Sequence, residues 1–553
     1  MAPALTIHRR RNRSRRTWPR SISRKGGPML HIPVLPRSSF WLRVAVGAAL
    51  VGLADLLFFA HAPGTSLGLF AFAVLGGALL GRKDLLQDRR GRGFVLAGVA
   101  FALVLADRPG VLAWALFGVS ISLGALSSRV GPNETAWGWA QRLALHWFFA
   151  LFGPVIDLFK VSRLRRGRGG MSALNLLGLL IMPVVGGGVF LALFSAANPL
   201  ISNALANLSL PSLSPQNVLR ILFWCAVFIG VLGLLRPRWR KPLLGLPERK
   251  IGKPSAFLTR TITLSLIVFN AVFALQNGLD IAFLWSGAPL PGDMGLAEYA
   301  HRGAYPLIVT ALLAGLFVLV ALQPGSDTAS KPLVRCLVVV WIAQNMVLVA
   351  SSLLRTADYI EVYALTRFRI AAMIWMALVA VGLMLICWRM LAGKSAHWLI
   401  NANAAAALIV LAVVSVVDLG AVVAGWNVRH AREVGSRGVA LDLGYLHTLG
   451  APALVSLAEL ETTLDDAVLR DRVAAVRQDI LLNVRRRQSE WRGWTWRDQR
   501  RLDRIAALQQ KGALSAPAPG ARHWNGLIQM PPPTAPAPVA APPPVPLTSP
   551  TEG

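Results

Sequence analysis

At 553 residues, 54% hydrophobic and only 15% charged, with a mean hydropathy of +0.53, the chain lies outside the soluble globular range, where charged residues approach about a quarter. The formal net charge of +31 raises nucleic acid as a partner, but the basic residues gather in the N-terminal arm, in certain short loops and near the C-terminal end. No module interleaves them with aromatics to hold bases, so composition points to an all-α, polytopic membrane bundle with the lipid bilayer as partner and no nucleic acid.

Residues 1–40 carry the basic arm HRRRNRSRRTWPRSISRKGG, too polar to pack a core and suited to anionic lipid headgroups. It is predicted disordered and cytoplasmic. A first apolar run follows at 41–60. Ala60-His61-Ala62 after it imitates a signal-peptidase site, but the length of the run and of the arm before it favours an uncleaved anchor. Further runs at 65–81, 93–106, 111–128, 173–197, 217–235, 261–285, 305–323, 332–354, 368–388 and 398–420 bring the expected count to eleven transmembrane helices. Residues 41–128 form the N-terminal spans and 173–426 the main bundle.

The distribution of lysine and arginine tests this map. Arg82, Lys83, Arg89, Arg90 and Arg92, then Arg163 to Arg168, then Arg236 to Lys253 fall inside. The alternate loops at 61–66 and 198–216 carry none, and 286–304 carries only Arg302. The expected location is therefore a bacterial inner membrane, N-terminus cytoplasmic. Two segments depart from plain spans. Within the cytoplasmic stretch 129–172, residues 136–160 mix Trp137, Trp139 and Trp147 with Gln141, Arg142, His146, Asp157 and Lys160, which predicts a helix lying in the headgroup layer. Pro183 with Gly186, Gly187 and Gly188 weakens the fifth span at mid-depth, as a kink or as a broken helix lining a site. Gly77 and Gly81 suit close helix contact.

After the last span, 427–511 has helical periodicity and many charges, with Asp442, Tyr445, Leu446, Leu449, Leu454 and Leu457 giving the apolar spacing of a small helical region. An odd number of spans makes it periplasmic. Residues 512–553 read as a Pro/Ala-rich disordered tail, with prolines at 531–533 and 542–544. Cys225, Cys336 and Cys387 all lie in apolar runs with no metal or disulfide spacing, and read as small core residues.

The runs YAHRGAYPLIVTALL at 299–313, ADYIEVYALTRFRIAAMIW at 357–375 and LDLGYLHTLGAPAL at 441–454 resemble the bacterial membrane family DUF4173, which is related to DUF4153, over about 170–460. The resemblance implies a polytopic inner-membrane protein and supplies no reaction and no catalytic residue.

Candidate site residues come from polar groups inside apolar spans, where each needs a partner or water. Asp280 heads the list, with Gln276 one turn before it on the same face and Asn270 and Asn277 seven apart. Gln344 and Asn345 sit near the middle of the ninth span, and Asp55 and Asp418 in the outer third of theirs. Arg355, Asp358, Glu361 and Arg367 in a predicted external loop at 355–367, with His301 and Arg302 in the loop before the eighth span, complete an outward polar face. Together they would line a vestibule for an ion or polar solute, or pair between helices to fix the bundle.

The chain has no HExxH, no GxSxG, no GxxxxGK[ST] and no histidine inside a span, which argues against zinc proteases, serine hydrolases, P-loop ATPases and histidine-based acyltransferases. The first external loop is too short for a lipid-linked glycosyltransferase. No metal and no cofactor is implied. The leading expectation is a non-enzymatic transport or envelope protein. The second is a membrane-anchored scaffold or sensor that recruits membrane or periplasmic proteins through its C-terminal region; the third is an enzyme acting on lipid or glycan precursors.

Overall fold

The computed structural model describes residues 37–128, 130, 134–153, 183, 186–191, 193–207, 214–237, 242, 256–286, 309–310, 313, 317, 331–436 and 438–529. The basic arm before residue 37, the arginine run at 163–168, most of the loop 236–253, His301, Arg302 and the proline tracts lie outside them. Among the described residues the chain is all-helical, with no strand beyond one isolated bridge between Arg522 and Ile528.

Helices α1 (Arg37–Phe58), α2 (Ser66–Gly81), α3 (Arg89–Asp107), α4 (Val111–Ser127), α5 (Ala136–Leu151) and α6 (Pro215–Leu235) pack into a first cluster. Its centre is Ala54, Ala71, Leu105, Phe117 and Leu235, all at or below 1% exposed. Glycine sets the approach of α2 and α3: a Cβ on Gly68 would stand 2.5 Å from that of Ala106. Gly77 faces Val46 in the same way, at 2.8 Å. Gly186, Gly187 and Gly188 are helical, and a Cβ on any of them meets nothing within 4 Å among the described residues.

Helix α5 turns Arg142 and His146 toward the bundle while Phe148 and Leu151 are exposed. That is the reverse of a soluble amphipathic helix. It fits a helix whose outer face meets lipid, and Arg142 is matched inside by Glu134 at 2.6 Å.

Helices α7 (Ala256–Asp280), α8 (Pro332–Tyr363), α9 (Arg367–Leu391) and α10 (Ala396–Val416) form a second cluster around Leu266, Val338, Trp341 and Leu348. Among the described residues five helices, α6 to α10, are long and apolar enough to cross a membrane, counting for α7 the one-turn π-helix Ile281–Trp285 that extends it. Only 17% of the apolar window of α9 and 11% of that of α10 is buried. Leu264, Val268, Val272 and Leu275 on α7 likewise point outward. A water-facing surface of that kind would aggregate; facing hydrocarbon it is at home.

Two predicted boundaries are corrected. Helix α8 runs on to Tyr363, so Arg355, Asp358, Glu361 and Tyr363 stand on its last turns and not in a loop. The helix stops only where Ala364 turns to φ 63°, and Arg369 donates to the carbonyls of Tyr363 and Ala364 to finish it. The eleventh run breaks at Val417, because Asp418 accepts from Ala421 N at 3.2 Å and starts a new helix, α11 (Leu419–Arg429).

Helix α11 opens the C-terminal unit, followed by α12 (Leu443–Leu449), α13 (Leu454–Thr463), α14 (Ala467–Ser489) and α15 (Trp496–Gln510). Leu446, Leu454 and Leu457 are fully buried, and Asp442, Asp466 and Thr495 cap α12, α14 and α15. The segment 512–529, read from composition as part of a tail, packs onto this unit. Ser515 N reaches Glu461 at 2.7 Å, Ala518 N reaches Asp471 at 2.7 Å, and Trp524 lies against Gly444. Composition registers prolines and alanines but not the two carboxylates that anchor the backbone between them.

The C-terminal unit grips four interhelical turns, which places them on one face. Thr65 N donates to Trp494 O at 2.7 Å and Ser66 Oγ to Arg492 O at 2.8 Å, between α1 and α2. Arg497 and Arg500 meet Asp107, between α3 and α4. Arg497 and Arg501 meet Asp418, between α10 and α11. Asn427 donates to Leu365 O and accepts from Leu365 N, between α8 and α9.

Candidate functional site

Helices α7 and α8 run parallel, and their register can be read from two contacts. Asn270 Nδ2 donates to Leu337 O and Asn277 Nδ2 to Gln344 O, each joining residues 67 apart. The buried stripe of α7 follows 3–4 spacing through Leu266, Asn270, Phe273, Asn277 and Asp280, and that of α8 through Val334, Val338, Trp341, Asn345, Leu348, Ser352 and Arg355. This is the periodicity that lets two helices stay in contact along their length. The N-terminal half of the seam is mainly apolar. From Asn270 toward the C-terminal ends of the two helices it becomes polar.

The polar groups stack in levels. Gln344 Nε2 donates to Asn270 Oδ1 at 3.2 Å, and Asn270 Nδ2 also reaches its own Leu266 O at 2.7 Å. One level out, Asn277 meets Gln344 O at 3.1 Å and Asn345 Nδ2 reaches Trp341 O at 2.8 Å. Above them Gln276 Nε2 donates to Asp280 Oδ1 at 2.9 Å, and Arg355 forms an ion pair with the same carboxylate; Asp280 is 0% and Arg355 3% exposed. The file ends at the π-helix, which presents Trp285 Nε1 to Ser351 Oγ at 3.0 Å.

Five amide nitrogens in this seam find acceptors, and three amide oxygens find no donor among the described residues. Asn277 Oδ1, Gln344 Oε1 and Asn345 Oδ1 are buried without a donor among the described residues. A buried acceptor left in that state costs about 1–3 kcal/mol. The seam is therefore rich in acceptors next to a buried charge pair.

Seven of the predicted residues, Asn270, Gln276, Asn277, Asp280, Gln344, Asn345 and Arg355, come together here. Asp55 does not: it accepts from Arg220 Nε and Trp224 Nε1, both at 2.8 Å, between α1 and α6. Asp418 belongs to the cap and arginine contacts described above. Asp358 is half-buried on the outer turns of α8, Glu361 and Arg367 are exposed, and His301 and Arg302 lie outside the described residues. Sequence reasoning did not single out Trp285, Ser351 or Ser352. The 3–4 spacing that runs through Asn345 to Arg355 carries the signal for Ser352.

A concavity of about 320 Å³ opens in the C-terminal unit between His447, Gly450, Pro452, Asn483 and Arg487. Its polar groups already have partners, His447 with Asp479 at 2.8 Å and Arg487 with Asp498 at 2.9 Å. Among the described residues no three His, Cys, Asp or Glu side chains gather as metal ligands.

Long helices with apolar outward faces, a polar seam between two of them and a charged helical unit over one end fit an integral membrane protein. The chain belongs to the family described as Domain of unknown function (DUF4153), whose model matches residues 92–460. That match runs from α3 through α13 and takes in the whole seam. No curated protein and no solved structure matches the chain.

Proposed function

We propose that this is a multi-pass protein of a bacterial inner membrane that moves an ion or polar solute along the α7–α8 seam. Its eleven spans put the arm inside and the C-terminal unit in the periplasm. The observation that carries the proposal is the buried Asp280–Arg355 pair above unsatisfied amide oxygens, in the half of the seam nearest the C-terminal unit. Two helices that only needed to adhere would do as well or better with an apolar pair of similar shape or with small residues. Intramembrane charge facing a partner helix is the ordinary mark of a path.

The topology draws support from the four turns gripped on one face, since the charge map puts 61–66, 107–110, 364–366 and 417–418 all outside. The parallel course of α7 and α8 supports a returning span between them, at 305–323. The three quoted sequence blocks support kinship with DUF4173. Flux into proteoliposomes tests the reading: wild type carries a polar solute or ion and Asp280→Ala does not. No flux of any solute tried, with no difference between the two proteins, counts against it.

The grip of the C-terminal unit on four turns favours a second reading, a scaffold or sensor in which the bundle is an anchor. Deleting 427–553 discriminates. Loss of phenotype with a stably inserted bundle and unchanged flux favours the scaffold.

A further inference from the structure

We infer that the level of the seam formed by Asn277, Gln344 and Asn345 binds a single monovalent alkali cation. The assignment rests on the reading of the seam as a path and names its occupant. Asn345 is 0% and Asn277 6% exposed, and the three amide oxygens are buried with no donor among the described residues. Their orientation is set by the nitrogens. Asn345 Nδ2 is held by Trp341 O, Asn277 Nδ2 by Gln344 O and Gln344 Nε2 by Asn270 Oδ1, so each oxygen is what remains after its own nitrogen has found an acceptor. Asn277 touches the main chain of Gln344, and Asn345 is the next residue, so the oxygens come from one level of two helices.

The chemistry of the donor set selects the ligand class. Neutral carbonyl oxygens replace the hydration shell of sodium or potassium, whereas transition metals call for imidazole or thiolate, which the seam lacks among the described residues. Charge fixes the valence. Arg355 already matches Asp280, so an arriving ion adds uncompensated charge in a low-dielectric seam, and the Born cost rises with the square of that charge. A divalent ion costs about four times as much to bury as a monovalent one, and three amide dipoles cannot offset it. Phe273, Trp341 and Leu348, buried on the same stripes, alternate with these amides.

The test uses the full chain in lipid nanodiscs, with sodium, potassium and choline chloride at equal ionic strength. One alkali cation raises the unfolding temperature over choline, and its radioisotope binds saturably. Asn345→Leu weakens binding at least tenfold while leaving the melting point in choline unchanged or higher, and Gln344→Met, a near-isosteric second variant in case the first fails to fold, weakens binding as much. Equal melting in all three salts with no saturable isotope binding overturns the inference, because water alone then fills the level. Full cation dependence in both variants also overturns it, because the ion then sits elsewhere. Solute flux that ignores the alkali ion removes this assignment and leaves transport standing; saturable binding without any flux removes transport and leaves the site.

Discussion

Two buried arginine–carboxylate pairs, Arg477–Glu461 in the C-terminal unit and Arg355–Asp280 in the seam, match in exposure, 2% and 0% against 3% and 0%, and differ in their surroundings. Glu461 takes Arg477 Nε at 2.6 Å on one oxygen and Ser515 N at 2.7 Å on the other, and Arg477 Nη2 returns to Ser515 O at 2.8 Å. That pair is tied off within the protein and fastens 512–529 to the helices. Beside Asp280 lie amide oxygens with no donor among the described residues. Neither pair has to outdo apolar packing in stability: the first fastens a segment of its own chain, and the second, on the reading proposed above, borders a path.

The largest effect falls on the tied pair. Arg477→Met leaves Glu461 charged and buried, and calorimetry of the full protein shows the C-terminal unit losing about 3–5 kcal/mol. A loss under about 1 kcal/mol would break the comparison at its first term. Next is paired apolar replacement in the seam. Asp280→Leu with Arg355→Leu leaves the unfolding midpoint unchanged or raises stability by about 1–4 kcal/mol, and abolishes flux. The same exchange at Glu461 and Arg477 lowers stability, since Ser515 loses its acceptor. Should both doubles behave alike, the seam pair is a structural one.

Smaller effects sharpen the contrast around the grip. Arg497→Ala weakens half-exposed ion pairs to Asp107 and Asp418 and costs about 1 kcal/mol. Hydrogen exchange reads this as roughly fivefold faster opening at the Thr65 amide, which Trp494 O holds. The smallest is set by acid. The Ala518 N–H and the Arg522 guanidinium hold the Asp471 carboxyl below its usual 3.8. Because the folded value is the lower one, this anchor is complete above about pH 4 and weakens as pH falls through the folded value. Exchange at Ala518 rises in that acid window, and Asp471→Asn raises it already at neutral pH.

The sequence orders the polar residues along each apolar run; it does not give their direction around the helix. Position along an apolar run gave Asp55, Asp280 and Asp418 a common outer level, but their partners stand 165, 75 and 83 residues away and lie in three different places. Where the spacing itself holds the answer, as with Asn270 and Asn277 or Gln276 and Asp280, the reading and the structure coincide. Helix starts at Thr366, Ser395 and Asp442 are set by side-chain caps that the apolar pattern alone does not mark. The late end of α8 was not legible either, because polarity rises there while the buried stripe continues to Arg355. Arg477 and Glu461 escaped notice for a related reason: among so many charges, nothing local marks the two that are buried.

The bond from Ser66 to Arg492 joins residues 426 positions apart, so the α1–α2 turn is secured by a piece of chain made long after it. At about 5–20 residues per second, a ribosome reaches Arg492 roughly 20 to 85 s after Ser66. Throughout that interval the early turns stand without their clasp. Emergence of Arg492 becomes the event that fastens the α1–α2 turn, and a chain cut short before it leaves every nascent copy open at the same edge.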